Sequence, residues 1–561
     1  MTDRFDDVVS GAPGEDTLDR GDDPALSAAA HRLQRSRIPR LDAWAVAWLA
    51  DRRHALLWRW GAPAIVTLLA AVLRLWHVGS PDAMIFDETF YVKDAWSQWM
   101  YGYSSNWPVG DKAPTADAQF IAGTTTPSTV SASYVVHPQF GKLLMGFFEM
   151  LFGPSNPVGW RMATALAGIA GVWLLMIVTR RLFRSTLLAV IAGFILAIEG
   201  FAIVMSRVAI LDNLVMIFAL LGAYFALLDR DAQRRYWVRW AFAHRHDARR
   251  PQWGPVFWKR PWLWASAVTF GLDTGVKWSG VYFLAAFAVY AVLVDLAARK
   301  RAGLPLWISA GLLKQAPITF LYTVPIGLVV YLLTWLPWIV TKGGWDRDYV
   351  QTYGTQWKGS LAWVPDWFQN LAFYHLQMYQ FASELQQAHP AITPPWQWPL
   401  LVNPTNMYYV DLTTGQNGCT AASCVQTINS VANPLLWWTM SAAMIYVVYR
   451  LIRRRDPIAG FAIIGLAGGW LPWLLTFSRT AVFQFYTIAY EPFLVLGLVL
   501  VIREILGSPH DPPERRIGAV RLVAVFLGVA TLVSVFYWPI WTAQTVTTEL
   551  WRLHMWLPTW P

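Results

Sequence analysis

Charged residues are scarce in this sequence: Asp, Glu, Lys and Arg make up 14% of its 561 residues, against about 25% in an ordinary soluble domain. With 55% hydrophobic residues as well, the composition excludes a soluble globular protein and indicates a polytopic membrane protein. Cysteine is scarcer still. The only two, Cys419 and Cys424 in NGCTAASCV, are too few for a disulfide framework. In a short loop of an oxidising compartment they are expected to form one disulfide, and a redox pair is disfavoured because the spacing is not C-x-x-C. No spacing of His, Asp and Glu forms a recognisable ligand set, so no cofactor is expected and a divalent metal is open but not indicated. The sequence also lacks an apolar stretch near Met1, so no cleavable signal peptide is expected and the first span must target the chain. Residues 1–55 are expected to be a cytoplasmic, largely disordered tail, acidic and then mixed with Gly, Pro and Ala.

What the chain has in quantity is Trp, 35 residues of it, often flanking apolar runs as rings at membrane–water interfaces do. The runs fall at 60–76, 162–178, 187–198, 209–228, 262–271, 280–297, 318–340, 435–451, 458–477, 482–502 and 520–537. At roughly 20 residues per crossing, fewer inside a bundle, this is an all-α protein of about 11 transmembrane helices. Residues 141–152 are apolar but about a dozen long, which suits an interfacial or a re-entrant helix. With eleven crossings, the basic clusters Arg180-Arg181, 230–260, Arg299-Lys300-Arg301, Arg453-Arg454-Arg455 and 503–516 all lie on the N-terminal side. The long polar segments 78–140 and 341–433 lie on the other. By the positive-inside rule the N-terminus is cytoplasmic and both long loops are extracytoplasmic. The expected organisation is a core at 56–340 that includes the first outer loop, a second outer loop at 341–433, and C-terminal helices at 434–561 ending outside. The net charge of +10 sits in short loops, as topology signals and anionic-lipid contacts do, and does not indicate nucleic acid. No internal repeat suggests an inverted-repeat transporter.

The informative charges are those bordering the spans, where each costs about 2.5–3.5 kcal/mol at a helix centre. They are Arg74, Lys142, Arg161, Arg207, Asp212, Lys277, Arg479 and Glu491, with His137 on the approach. Nearly all fall at the outer helix ends, level with Asp87 and Glu88 in MIFDETFYVKDAWSQW. Snorkelling explains any one of them. As a set on the face the positive-inside rule leaves poor in cations, they fit a cavity that holds an anionic, phosphate-bearing lipid beside a general base. Arg207 and Asp212, five apart, could instead form a structural ion pair. The Lys277-Trp278 and Arg479 turns could be interfacial anchors, and Trp396 and Trp398 in PPWQWPL belt residues. Glu491 has no assigned role.

The segments IFDETFYVKDAW, VVHPQFGKLLMG, GWRMATALAG, SRVAILDNL, GLDTGVKWSGVY and FYHLQMYQFASELQQAHPAITPPWQWPL together resemble the protein O-mannosyltransferases, in order and spacing, from Arg74 to about Phe493. The likeness is to the bacterial branch, which lacks an inserted β-trefoil domain. It implies a GT-C glycosyltransferase fold at the cell membrane. Mannose would pass, with inversion, from polyprenyl-phosphate-mannose to Ser or Thr hydroxyls of exported proteins, with membrane lipids and the export machinery as further partners. The catalytic pair would be Asp87, the base, and Glu88. Arg74, His137, Lys142, Arg161, Arg207, Asp212, Lys277, Trp278 and Arg479 are the candidates for the donor and its phosphate. His375, Gln377, Trp396 and Trp398 are the candidates for acceptor or sugar contacts. The family's His-Pro-Pro motif is His137-Pro138-Gln139 here, without the second proline. Competing readings are an aminoarabinose-type or oligosaccharyl transferase of the same fold, a lipid-linked sugar transporter, and a membrane scaffold.

Overall fold

The structure, a computed structural model, describes residues 48–107, 115–126, 130–247, 251–355, 357–386, 388–476, 479–508 and 511–560. Most of the predicted N-terminal tail therefore lies outside the described residues. Among the described residues, eight helices are long and apolar enough to cross a membrane: α1 (Arg52–Leu75), α4 (Pro157–Phe183), α7 (Asp212–Ala243), α9 (Gly280–Arg301), α10 (Trp307–Leu333), α12 (Pro434–Arg454), α13 (Pro457–Leu474) and α15 (Pro513–Trp541). Three shorter helices coincide with the remaining predicted runs: α5 (Thr186–Ile198), α8 (Pro261–Val276) and α14 (Glu491–Leu506). Between them stand α2 (Glu88–Tyr101), α3 (Phe140–Phe152), α6 (Gly200–Met205) and α11 (Asp366–Glu384).

Contacts at the helix ends give the direction of each crossing. The α1 carboxyl end meets the α5–α6 junction, where the Arg74 guanidinium donates to the carbonyls of Leu196 and Ala197 at 2.9 and 3.1 Å. The amino end of α4 meets the loop after α1 through Arg161, and its carboxyl end meets α7 through Arg181–Asp231 at 2.7 Å. Asp212, which opens α7, pairs with Lys277, which follows α8. Asn433, the N-cap of α12, donates its N–H to Glu199 at 2.8 Å. The carboxyl ends of α12 and α14 meet through Arg450 and Glu504 at 3.0 Å. The eleven helices thus alternate, and the Arg/Lys-rich ends gather opposite the end that carries Asp87. At the basic end Arg260 is buried between Asp229 and Asp295 at 2.6 and 3.0 Å, where two acceptors offset its desolvation.

Close approach near the site depends on Gly168 in α4. A Cβ there would lie 2.1 Å from Ser206 Oγ and 2.9 Å from Arg74 Nε, so only glycine lets these groups meet across α4. The second long segment holds α11 and a small antiparallel sheet, order β1-β2-β3: β1 (Asn406–Thr413), β2 (Ser423–Asn429) and β3 (Thr545–Thr547). The sheet adds to a mostly helical protein two strands where the sequence reading had loop. It also ties the second segment to the end of α15 by the register Cys424↔Thr547. Cys419 and Cys424 form a disulfide across the β1–β2 connection, the pairing expected from their place in one short outer loop.

Candidate active site

Asp87 stands at the N-cap position of α2, after Phe86, whose φ of 50° lies in the left-handed region that ordinary side chains avoid. Its carbonyl accepts the N–H of Phe90 and Tyr91 at 3.0 and 3.1 Å. Its carboxyl does not cap the helix; it is half-buried and bonded to the hydroxyl of Tyr91, one turn on. Burial pushes the Asp87 carboxyl up to about 6, opposed by Lys277 and reinforced by Asp212.

Glu88 differs in every respect. Both its side chain and that of Arg161 are fully buried. Oε1 accepts Arg161 Nε at 2.8 Å and the Ala209 N–H at 2.7 Å; Oε2 accepts Arg161 Nη2 at 2.9 Å and the Ile85 N–H at 3.0 Å. Arg161 also donates to the carbonyls of Val78, Pro81 and Ala83 at 3.2, 3.0 and 2.9 Å. All five guanidinium N–H groups are then occupied by protein. The pair fastens the loop that carries Asp87 to α4 and to the start of α7.

Facing Asp87, Lys277 Nζ donates to both oxygens of Asp212 at 2.9 and 3.0 Å and lies 4.1 Å from the Tyr486 ring. The carboxylate of Asp212 sits at the α7 N-terminus, where the helix dipole favours negative charge. Arg479 donates to the Ala481 carbonyl at 2.8 Å and to the Tyr486 hydroxyl at 3.2 Å. The His137 ring lies 6.1 Å from that of Tyr91. Burial lowers the His137 pKa, and Lys277, Lys142 and Arg479 lower it further, so the imidazole is neutral. Asp87, Asp212, Lys277, Arg479 and His137, from five separate stretches of sequence, therefore share one site.

The other candidates go elsewhere. Lys142 pairs with Asp94 at 3.1 Å. Arg74 donates to Ser206 Oγ and two carbonyls, and Arg207 to the carbonyls of Arg74, Trp76 and His77, so the Arg207–Asp212 pair does not form. Glu491 is buried, near Glu199 and Arg74. Trp278 Nε1 donates to Tyr331 Oη at 2.9 Å, which in turn lies 2.6 Å from His375 Nε2. His375 Nδ1 bonds the Leu371 carbonyl, so the ring is fixed within this chain. Gln377 donates to Asp346. Trp396 is 62% exposed, whereas Trp398 is fully buried and donates to the Thr393 carbonyl. Tyr91 and Tyr486, both at the centre of the site, escaped the sequence reading. Tyr91 lies at i+4 from Asp87, a spacing that could have found it; nothing local marks Tyr486. Among the described residues no three His, Cys, Asp or Glu side chains are grouped to hold a metal.

A helical bundle with a carboxyl and cations among the loops at one end is the architecture of GT-C membrane glycosyltransferases. The S. cerevisiae protein O-mannosyltransferase Pmt1-Pmt2 complex shares the fold, with a TM-score of 0.64 at 13% identity over 90% of this chain and 92% of that one. Residues 367–560 match the C-terminal four TMM region of protein-O-mannosyltransferase, and residues 136–244 match dolichyl-phosphate-mannose-protein mannosyltransferase. The polyprenol-phosphate-mannose–protein mannosyltransferase of Mycolicibacterium smegmatis (strain MKD8) is 33% identical over 514 residues, 89% of this chain and 93% of the relative. That of Mycobacterium tuberculosis (strain CDC 1551 / Oshkosh) is 33% identical over 515 residues, 89% and 92% of the two chains. The chain belongs to the protein O-mannosyltransferase family.

Proposed function

We propose that the protein transfers mannose from polyprenyl-phosphate-mannose to Ser or Thr hydroxyls of exported proteins, with inversion, at the extracytoplasmic face of the cell membrane. Family membership supports the donor and the protein acceptor. The basic ends of the helices support the orientation, because the positive-inside rule puts them in the cytoplasm. The observation that carries the chemistry is Asp87, half-buried beside Tyr91 and facing the Lys277–Asp212 pair.

Inversion needs one base and no carboxylate nucleophile. A Ser or Thr hydroxyl is too weak an acid to ionise first, so Asp87 takes its proton as the bond to the sugar C1 forms, a contribution of typically about 10²–10⁴-fold. A carboxyl with a pKa near 6 is a better base than one near the usual 3.9 and is still ionised at neutral pH. The leaving group is a lipid monophosphate. Lys277 and Arg479, both against Tyr486, are the cations that offset its growing charge, and Asp212 orients Lys277. Neutral His137 contributes a hydrogen bond, not charge. Arg161, Arg74, Arg207 and Lys142 hold the frame.

The test is transfer from radiolabelled polyprenyl-phosphate-mannose to a Ser/Thr peptide by the purified chain. Wild-type protein should mannosylate the peptide, and Asp87→Asn should retain less than a few per cent of that rate with donor binding intact. An Asn variant with a tenth or more of wild-type turnover would show that the base is another group.

A further inference from the structure

On the Phe86 side of Asp87 aromatic rings replace the Lys277–Asp212 pair. This rim is built from a turn over 389–392, closed by the Ile392 N–H on the His389 carbonyl at 3.1 Å, and from the extended segment 481–483. An isolated antiparallel bridge joins Ile392 to Phe483, and the Thr393 N–H donates to the Val482 carbonyl at 3.0 Å. From these segments His389 and Phe483 converge on Phe86. The His389 ring stands edge-on to Phe86, centroids 6.0 Å apart, and to Phe483 at 5.4 Å. Phe485 lies 5.4 Å from Phe86 and 5.3 Å from Phe483. On its other side it faces Lys277 Nζ at 5.9 Å. Phe485 therefore divides a cationic half of the site from an aromatic half, with Asp87 reached from both.

His389 is exposed, yet two edge-on rings and one hydrogen bond fix its orientation. Its Nδ1 accepts the Ala391 N–H at 3.1 Å. In the neutral ring the proton is then on Nε2, a donor with no partner among the described residues. We propose that His389 is an acceptor-binding residue: its Nε2–H donates to a main-chain carbonyl of an extended acceptor polypeptide, next to the Ser or Thr whose hydroxyl reaches Asp87, while Phe86 and Phe483 floor a neighbouring side chain. A rim of aromatic rings with a single free N–H donor at His389 suits a peptide backbone, whereas a phosphate calls for the cations beyond Phe485. A lone Nε2–H beside aromatic edges also gives register without reading sequence, as a main-chain contact does. The φ of 50° at Phe86 is consistent with this role, since it turns the ring onto the rim and the Asp87 carboxyl into the site from adjacent positions.

This inference rests on the mannosyl transfer proposed above, and the experiment separates the two. With purified full-length protein, polyprenyl-phosphate-mannose and a Ser/Thr peptide, H389L should raise the KM for peptide at least fivefold. Its kcat and its KM for donor should stay within twofold of wild type. H389Q, whose amide N–H can stand where Nε2–H stood, should return the peptide KM to within twofold of wild type. The proposal is overturned if H389L leaves the peptide KM unchanged, if it acts on donor KM or kcat instead, or if H389Q is as impaired as H389L. A wild-type protein that transfers no mannose would overturn the proposed function itself.

Discussion

Asp87 and Glu88 are neighbours in sequence with the same functional group, and the surroundings of each decide what it does. Glu88 has both oxygens doubly occupied and its charge matched by Arg161, which leaves nothing with which to take a proton from substrate. Removing it strands the Arg161 guanidinium in a buried site without a counter-charge, at a cost of about 3–5 kcal/mol. Glu88→Ala should therefore lower the melting temperature of the purified protein markedly, while Asp87→Asn should leave it near wild type; equal melting temperatures for the two variants would contradict the division. As the proposed base, Asp87 is expected to set the pH dependence. A base with a pKa near 6 is mostly ionised at pH 7, and its ionised fraction falls toward tenfold per unit below 6. The kcat/KM for peptide should rise through pH 6 and level off above it, and a profile flat from pH 5 to 8 would remove Asp87 from the role. At this scale the sequence disclosed which charges were costly but not whom they would meet. Asp212 is five residues from Arg207 yet bonds Lys277, 65 positions away, because α7 and α8 meet only in the folded bundle. Likewise Arg161 and Arg74 looked the same as Lys277 in the chain, and only the carbonyls brought against them mark them as frame.

Elements with a strong period were legible and short polar ones were not. Each of the eleven apolar runs is helical in the structure, though 318–340 is broken into Ala316–Leu321, Val324–Leu333 and Leu336–Val340, and 482–502 opens as a 3₁₀ turn over Gln484–Ala489 before α14 begins at Glu491. In α3 the dozen apolar residues form one helix whose buried face carries Lys142 and Glu149 and whose exposed face carries Phe147, Met150 and Leu151. One side of this helix packs on the bundle and the other is apolar and exposed. The strands escaped because β1 reads NMYYVDLT and its partner only seven residues, with a polar loop between, too little alternation to stand out beside twenty-residue apolar runs. Their presence gives the disulfide a purpose. It closes a loop with a separation of five residues, for which chain entropy gives about 2 kcal/mol. Replacing Cys419 and Cys424 together by Ser should speed hydrogen exchange of the β1 and β2 amides several-fold and leave exchange in α7 unchanged; unaltered β1 exchange would show that the β3 pairing alone holds the hairpin.

For the whole molecule the decisive sequence signal was the distribution of Lys and Arg, and the structure accounts for it through helix length. In α7 Asp212 is the first residue and Arg235 lies 23 positions on, about 35 Å further along at 1.5 Å per residue. A hydrocarbon core is about 30 Å thick, so the two residues of α7 stand on opposite faces. Because both native cysteines are locked in one disulfide, a single new thiol can be labelled without a cysteine-free background. Ser360, exposed in the second long segment, and Arg235, exposed near the far end of α7, are suitable sites. In intact cells a membrane-impermeant maleimide should label Ser360→Cys and not Arg235→Cys, with both labelled once the membrane is opened. The reverse pattern would put Asp87 in the cytoplasm, where polypeptides awaiting export have not yet crossed, and the acceptor class proposed for this site would have to change with it.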